Sequence, residues 1–518
     1  VHETLHTLET VSNPTERGRR QAEYLRSRRP ELRVRHVVLL CDNAPVRTAN
    51  GFAQVFTGAQ VTVLTRRSLP PDSLARARAE VSVGRCRTVA EIKSRLAELP
   101  TAQVVTDAWE PAGDRYQVLV PQLAPDGVYI DRRNGVLDLA AYAYKLHDDA
   151  VDEALTESFG PYWGEVVHTI PGGDPVLTGS LHTNDERHLG SFQLASEVPA
   201  LHLRRYDDVV CAPRQLAVKG HHVLPISFHQ PRARKLRNRS AYGTELDANW
   251  LKTEFGHPVP RLAGAYYHLD SEFPWHFGHF ITQDVAKLWG WRLARERHPD
   301  LKILLSMVDP TTGTPGGGPR PHQLSMLRAL GIEADRVVCI NGPVRVDELY
   351  GATPLFYQAH YAHPTVLPLW EALGRGLRRD NRCDGPELIY VSRRGVTQRA
   401  CSNEPELESL FRHYGFAVVH PETLSVEQQA AAFSGARVVA GCAGSGLFNT
   451  IFARRPGRRI VFGPVGYRAR NEWTMAAVRG DDYHHFFGPA ETDDFHSPFA
   501  FDFEADGPAL ELLLHDLT

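Results

Sequence analysis

Between residues 387 and 463 the chain alternates short β-branched runs with short helical segments, and turns of a few residues join them. Leu388-Ile389-Tyr390-Val391, Phe416-Ala417-Val418-Val419, Arg437-Val438-Val439-Ala440 and Arg459-Ile460-Val461-Phe462 read as strands. Glu406 to Tyr414 reads as one helix, and a second opens on the capping box Ser425-Val426-Glu427-Gln428. Strands joined in this way pair in parallel through right-handed crossovers. The stretch therefore predicts half of a nucleotide-binding α/β sheet.

The rest of the chain fits the same fold class less sharply. Residues 34–133 also alternate: Val37 to Leu40, Val61 to Leu64 and Val104-Val105 read as strands and Thr88 to Leu99 as a helix. Tyr116 to Val120 and the residues after a turn at Asp126-Gly127 read as further strands, Gly135 to Val151 as a helix, and Thr169 to Gly190 as linker. Val223 to Ile226 and Lys302 to Leu305 read as strands, a helix is expected from Phe280, and the Gly/Pro run Thr311 to Pro321 reads as a loop. With 518 residues, two or three domains are expected, set at 1–195, 196–350 and 351–518.

Composition excludes several function classes. Lys plus Arg number 58 against 61 Asp plus Glu, too little positive charge for a general nucleic-acid binder. No apolar run is long enough to span a membrane, and residues 1–30 lack the apolar core of a secretory signal. The seven cysteines are scattered without a C-x-x-C pair, which suggests reduced thiols in a cytosol.

Ligands of such sheets sit outside the carboxyl ends of the strands. Two strand ends here carry chemistry suited to a diphosphate. Gly444-Ser445-Gly446 brings backbone N–H groups to a helix start, and Arg393, Arg394 and Arg399 supply planar cations. Either feature alone also occurs as plain turn geometry or a solvated rim. No Asp-x-Asp stands after a strand of this region, and neither H-E-x-x-H nor G-x-S-x-G is present. The adjacent pairs His221-His222 and His484-His485 would diverge on a strand, which makes each a poor chelate.

The run from Tyr390 to Ala453 resembles the signature region of glycosyltransferase family 61. The resemblance rests on Ser392-Arg393, Arg399, Asn403-Glu404, Gly415-Phe416, Pro421-Glu422, Leu424-Ser425, Glu427-Gln428 and Gly444 to Asn449. Upstream, YYHLDSEFPWHFGHFITQDVAKLW (Tyr266 to Trp289) resembles the family's early His-Phe helix, and the similarity extends over roughly residues 201–490. Two positions depart from the pattern: Ala443 replaces the His of a His-Gly turn, and Gln283 stands where many members carry an acid, with Asp284 next to it.

The resemblance implies a GT-B pair of Rossmann-like domains, 196–350 on the acceptor side and 351–518 on the donor side, acting with inversion on a nucleoside-diphosphate sugar, most often a UDP-sugar. No metal or other cofactor is implied, and Arg393, Arg394, Arg399, Asn403, Gly444, Ser445 and Gly446 are expected to hold the donor. Transfer also needs a base for the acceptor hydroxyl. His276, His279 and Asp284 are the candidates, because a helix from Phe277 aligns positions 276, 279 and 283 along one stripe. Structural roles for His279 and Asp284 remain alternatives, and Glu404 is expected to orient Arg399 or a sugar hydroxyl. The expected partners are a nucleotide-sugar donor and a small-molecule, glycan or natural-product acceptor, in a cytoplasmic, bacterial enzyme compatible with a homo-oligomer.

Within the N-terminal region (1–195), the strand–helix order of residues 34–133 and the late run PQLAPDGVYI resemble a class I methyltransferase domain that has degenerated. CDNAPVRTANG follows its first strand instead of a G-x-G-x-G loop, and Thr65-Arg66-Arg67 offers no carboxylate for a ribose. A catalytically silent nucleotide- or glycan-binding protein and an S-adenosylmethionine-dependent methyltransferase are the competing readings.

Overall fold

The computed structural model describes residues 11–28, 33–100, 102–107, 123–131, 142–145, 164–194, 197–219, 222–227, 241–243, 248–251, 259–307, 317–358, 360–379, 385–396, 398–467, 470–492, 494 and 496–517. The chain forms two compact units from interleaved stretches. One comprises 1–165, 206–263 and 342–348, and the other 166–205, 264–341 and 349–518.

In the first unit, β1 (His36–Leu40), β2 (Gln60–Thr65), β3 (Val81–Arg85), β4 (Ala102–Asp107) and β5 (Leu123–Asp131) form a parallel sheet in the order β3-β2-β1-β4-β5. Helices α1 (Pro14–Arg28) and α2 (Pro45–Val55) cover it, with Leu25, Val37, Leu39, Phe52, Val61 and Val63 in its core. Helix α3 (Val89–Ala97) starts where the Thr88 side chain accepts from the Glu91 amide, a reciprocal capping box that satisfies first-turn donors. The expected turn at Asp126-Gly127 is instead part of β5, which absorbs an irregularity in its register with β4. Tyr142–Lys145 is a strand where a helix over 135–151 was expected; the rest of that span and the strand at 116–120 lie outside the described residues.

The second unit contains two parallel arrays. Strand β6 (Ser180–Thr183) lies inside the stretch 169–190 read as linker, and a 3-10 helix follows it at Glu186–Phe192. The reason for the difference is non-local: β6 is too short and polar to register as a strand until its partner, far along the chain, is known. Next in the chain come β7 (Leu201–Ala212), β8 (Arg261–His268), β9 (Lys302–Ser306), β10 (Val337–Ile340) and β11 (Val344–Ala352), of which residues 206–212, 261–263 and 344–348 are counted with the first unit, and β8, β9 and β10 pair in parallel. Between β8 and β9 the helical run opens at Phe277–His279, the start that the stripe of positions 276, 279 and 283 requires and three residues before the one read at Phe280. It passes through a π-turn at Phe280–Asp284 and a 3-10 stretch at Val285–Gly290, and ends in Trp291–Arg297. Helix α4 (Pro321–Ala329) joins β9 to β10; residues 311–316 of the expected loop lie outside the described residues. In the first unit, at residues 222–227, only His222–Val223 is strand, and Pro225–Ser227 turns as a 3-10 helix because proline cannot donate to a ladder.

Helix α5 (Val366–Leu377) leads into the second array: β12 (Leu388–Val391), α6 (Glu404–His413), β13 (Ala417–Val419), α7 (Val426–Ser434), β14 (Val438–Cys442), β15 (Arg458–Pro464), α8 (Asn471–Arg479) and β16 (Asp482–Gly488), closed by α9 (Gly507–His515). Its strand order is β13-β12-β14-β15-β16-β6, and every pairing is parallel. The predicted capping box opens α7, where the Ser425 hydroxyl accepts from the Gln428 amide at 3.3 Å. One continuous core joins both arrays through Ile303, Leu305, Trp370, Ile389, Val391, Val439 and Val461. Phe411, Phe416, Phe462, Phe486 and Leu510 fill the opposite face of the second sheet. Each such fully buried side chain is worth about 1.5–3 kcal/mol, so these layers hold the strand ends rigidly.

Candidate active site

From β12 the chain goes to β13 on one side and returns through α7 to β14 on the other, so the winding direction reverses between β12 and β14. Such a reversal leaves a crevice at the carboxyl ends of the two strands. Strand β12 delivers Ser392 and Arg393 to its rim, and β14 delivers the turn Ala443-Gly444-Ser445-Gly446. The two meet: a Cβ built on Gly444 would lie 1.8 Å from Arg393 Nη1, and Gly444 adopts φ 156°. Only a residue without a side chain admits the guanidinium there.

A cleft of about 460 Å³ opens beside this contact. Arg393, Ser445, Gly446, Glu422, Glu427 and His322 are among the residues around it. Arg393 Nη2 donates to the Gln398 carbonyl at 3.0 Å, and its buried Nε has no hydrogen-bond partner among the described residues. Arg399 enters from a residue with φ 54° and lays its guanidinium over Tyr467, 4.9 Å from the ring centroid. Burial, with the neighbouring Arg393 cation, lowers the pKa of Arg399. Two guanidinium groups held this close form a ready site for an anion.

Behind the turn, buried Glu472 accepts the Gly444 amide at 2.7 Å and a bond from the Tyr467 hydroxyl. Burial pushes its carboxyl pKa up. The Gly444 amide therefore faces a protein carboxylate. Among the described residues no acceptor meets the Gly446 amide, and Leu447 N–H returns to the Gly444 carbonyl at 3.0 Å.

The remaining expected donor residues have other partners. Arg394 pairs with fully buried Glu408 at 3.2 Å, a carboxylate that also accepts from Ser392 and Arg412. Asn403 donates to the Phe501 carbonyl at 2.8 Å and accepts from the Phe501 amide at 2.9 Å, clamping the C-terminal segment as one rung of a ladder would. Glu404, expected to orient Arg399, accepts instead from the Arg393 amide at 2.8 Å. Burial raises its pKa, and its contact fixes the main chain that carries Arg393.

The helical run at Phe277–His279 packs directly on the glycine turn. A Cβ on Gly278 would lie 2.8 Å from Ser445 Cβ and 2.9 Å from Phe448. This places His276 and His279 beside the turn, and the Arg399 cation is close enough to depress the His276 pKa, after burial of the ring itself. His279 stacks on Phe273 at 4.3 Å, and its Nδ1 lies 2.8 Å from Gln283 Oε1. A carbonyl oxygen accepts only, so in this contact Nδ1 is the donor. Gln283 thus accepts the bond that a carboxylate at the same position would accept.

Asp284 points elsewhere. The π-turn sends it inward to Lys287, 3.2 Å away, and Lys287 also donates to the Asp270 carbonyl at 2.9 Å. Burial raises the Asp284 pKa to about 6. Single π-turns inside helices recur at functional sites, and this one separates two neighbouring side chains, Gln283 toward His279 and Asp284 toward the interior.

Sequence reasoning missed Glu472 and Tyr467, which fix the glycine turn and Arg399 from behind; no local motif marks them, because their partners lie in other segments. No curated protein matches this chain. Residues 277–461, from the helical run on the glycine turn to the strand beside it, match the family model described as Glycosyltransferase 61, which supports glycosyl transfer as the chemistry of this chain.

Proposed function

We propose that the protein is an inverting glycosyltransferase that moves a sugar from a nucleoside-diphosphate sugar, of the UDP class, to a hydroxyl acceptor. One observation carries the reading: the Arg393 guanidinium lies against Gly444 at the strand-order reversal, beside an open cleft. Arg393 and Arg399 balance the charge that develops on the leaving diphosphate, and the Ser445-Gly446 end of the turn adds backbone dipoles. These groups take the part that a metal plays in other transferases, so transfer is metal-independent. His279 Nε2 removes the acceptor proton, with Gln283 holding the ring. The reading fits a GT-B arrangement with the donor on the 351–518 side, in a cytoplasmic protein acting on a glycan or small-molecule acceptor.

Two substitutions test it by calorimetry with UDP and by UDP release from UDP-sugars. Arg393→Ala is expected to weaken UDP binding at least tenfold, while Arg394→Ala, whose cation belongs to Glu408, changes it less than threefold. Equal affinities in the two variants would remove the phosphate site. His279→Ala is expected to lower turnover about 100-fold or more with UDP affinity kept, the usual scale of a general base; unchanged turnover would remove His279 from that role.

A silent nucleotide-binding protein is the second reading. It is favoured by Ala443, which brings no functional group to the turn, and by Glu472, which occupies the Gly444 amide. UDP binding without sugar transfer to any acceptor would select it.

A further inference from the structure

We propose that His182, Asp482 and His484 form a zinc site that pins strand β6 to the edge of the second sheet. The three come from chain segments that only the fold brings together: Ser180 and Asp482, which share a hydrogen bond here, stand 302 positions apart. In the parallel pairing of β16 with β6, Asp482 faces Ser180 and His484 faces His182. Side chains two apart on a strand share a face, so Asp482, His484 and His182 project from the same side of the sheet.

Their ligand atoms converge. His182 Nε2 lies 3.1 Å from Asp482 Oδ1, and His484 Nε2 lies 3.0 Å from Asp482 Oδ2. The two imidazoles stack with centroids 4.5 Å apart and planes 16° from parallel. One ligand atom from each residue falls within 4.8 Å of the others. Tetrahedral zinc with bonds of about 2.0–2.1 Å needs ligand atoms about 3.3 Å apart, so small rotations of the rings complete the site. Two imidazole nitrogens and one carboxylate oxygen suit zinc better than calcium or magnesium, which take oxygen ligands.

The surroundings fit as well. Ser180 Oγ donates to Asp482 Oδ1 at 2.8 Å and Arg458 Nε to Oδ2 at 2.8 Å, so the carboxylate is oriented by outer partners. The Arg458 cation weakens the site relative to one without it. His182 is 55% exposed, which gives the ion an entry path and leaves a position for water.

The test is metal titration of the whole chain after chelator treatment. Zinc should bind at about one equivalent in equilibrium dialysis and raise the melting temperature by mass action, and cobalt in its place should give the visible absorption of a tetrahedral centre. His182→Gln should lose the bound equivalent, the zinc-dependent melting shift and the cobalt spectrum, while its exposed side chain and distance in sequence from the cleft leave UDP binding unchanged. Asp482→Asn should lose them too. Absence of zinc binding in the unaltered chain, or full stoichiometry and an unchanged cobalt spectrum in His182→Gln, would overturn the proposal.

Discussion

Asp284 and Lys287 form an ion pair almost sealed from water, with side-chain exposures of 3% and 7%. Taking a carboxylate out of water costs more than one lysine returns, so its pKa rises from 3.8 to about 6, with Asp270 adding repulsion. The sign of the consequence follows directly. Between those values the folded chain holds a proton on Asp284 that the unfolded chain has lost, so stability falls as pH rises from about 4 to about 6. The cost is complete above pH 6 and amounts to about 3 kcal/mol at about 1.4 kcal/mol per pKa unit. Asp284→Asn mimics the protonated acid. Its stability should therefore be higher than that of the unaltered chain at pH 7, and the difference should vanish toward pH 4. Urea midpoints for both proteins across this window measure the difference, in which other carboxylates cancel; parallel curves would contradict the assignment. The sequence placed an acid beside Gln283, but the π-turn that separates the two residues leaves no local signature. His279 was legible because helical spacing reports which residues share a stripe. Burial of the next residue depends on β8 and β9, which the stripe does not see.

At the scale of elements, the second sheet was the most legible part of the molecule. Its strands are apolar, its turns are short, and two-residue and 3.6-residue periods compete little there. The expected strands β12, β13, β14 and β15 and helices α6 and α7 all form, within a few residues of their reading. Strand β6 shows what such reading omits: four polar-flanked residues become a strand because β16 offers an unpaired edge. The motif Asn403-Glu404 shows the same limit. Read as donor chemistry, it ties segments together, with Glu404 on the Arg393 amide and Asn403 on both backbone groups of Phe501. Asn403→Ala should leave those two groups without their partner and destabilise the protein by about 1–3 kcal/mol. UDP affinity of the remaining folded fraction should stay within about twofold. Chemical denaturation and calorimetry separate these effects, and a large loss of UDP affinity with stability intact would return Asn403 to the donor site.

Across the whole molecule, the interleaving of the two units was invisible in the sequence, because only long-range pairing assigns 206–263 and 342–348 to the same unit as the N-terminal sheet. That sheet has the β3-β2-β1-β4-β5 order of a doubly wound nucleotide-binding fold, with its own reversal between β1 and β4. The order alone invites a cofactor, but the residues at the strand ends argue otherwise. After β1 the chain enters α2 through Ala44 at φ 49° and Pro45 at the first helical position, without a glycine that would let backbone amides approach a ligand. Asp42, the acid at that strand end, accepts from the Arg66 amide at 2.8 Å, from Arg66 Nε at 2.6 Å and from Thr65 Oγ1 at 3.1 Å. Burial opposes its charge, but these donors hold its pKa below the ordinary value, so it stays ionised and engaged with β2. A carboxylate bound in this way cannot also receive a ribose diol without giving up the Arg66 pair. We therefore expect titration of the whole chain with S-adenosylmethionine to show no saturable heat, and Asp42→Ala to lower stability without exposing any such binding. Saturable binding that Asp42→Ala abolishes would mean that this sheet holds a cofactor after all, and methyl transfer would return as an activity of the first unit.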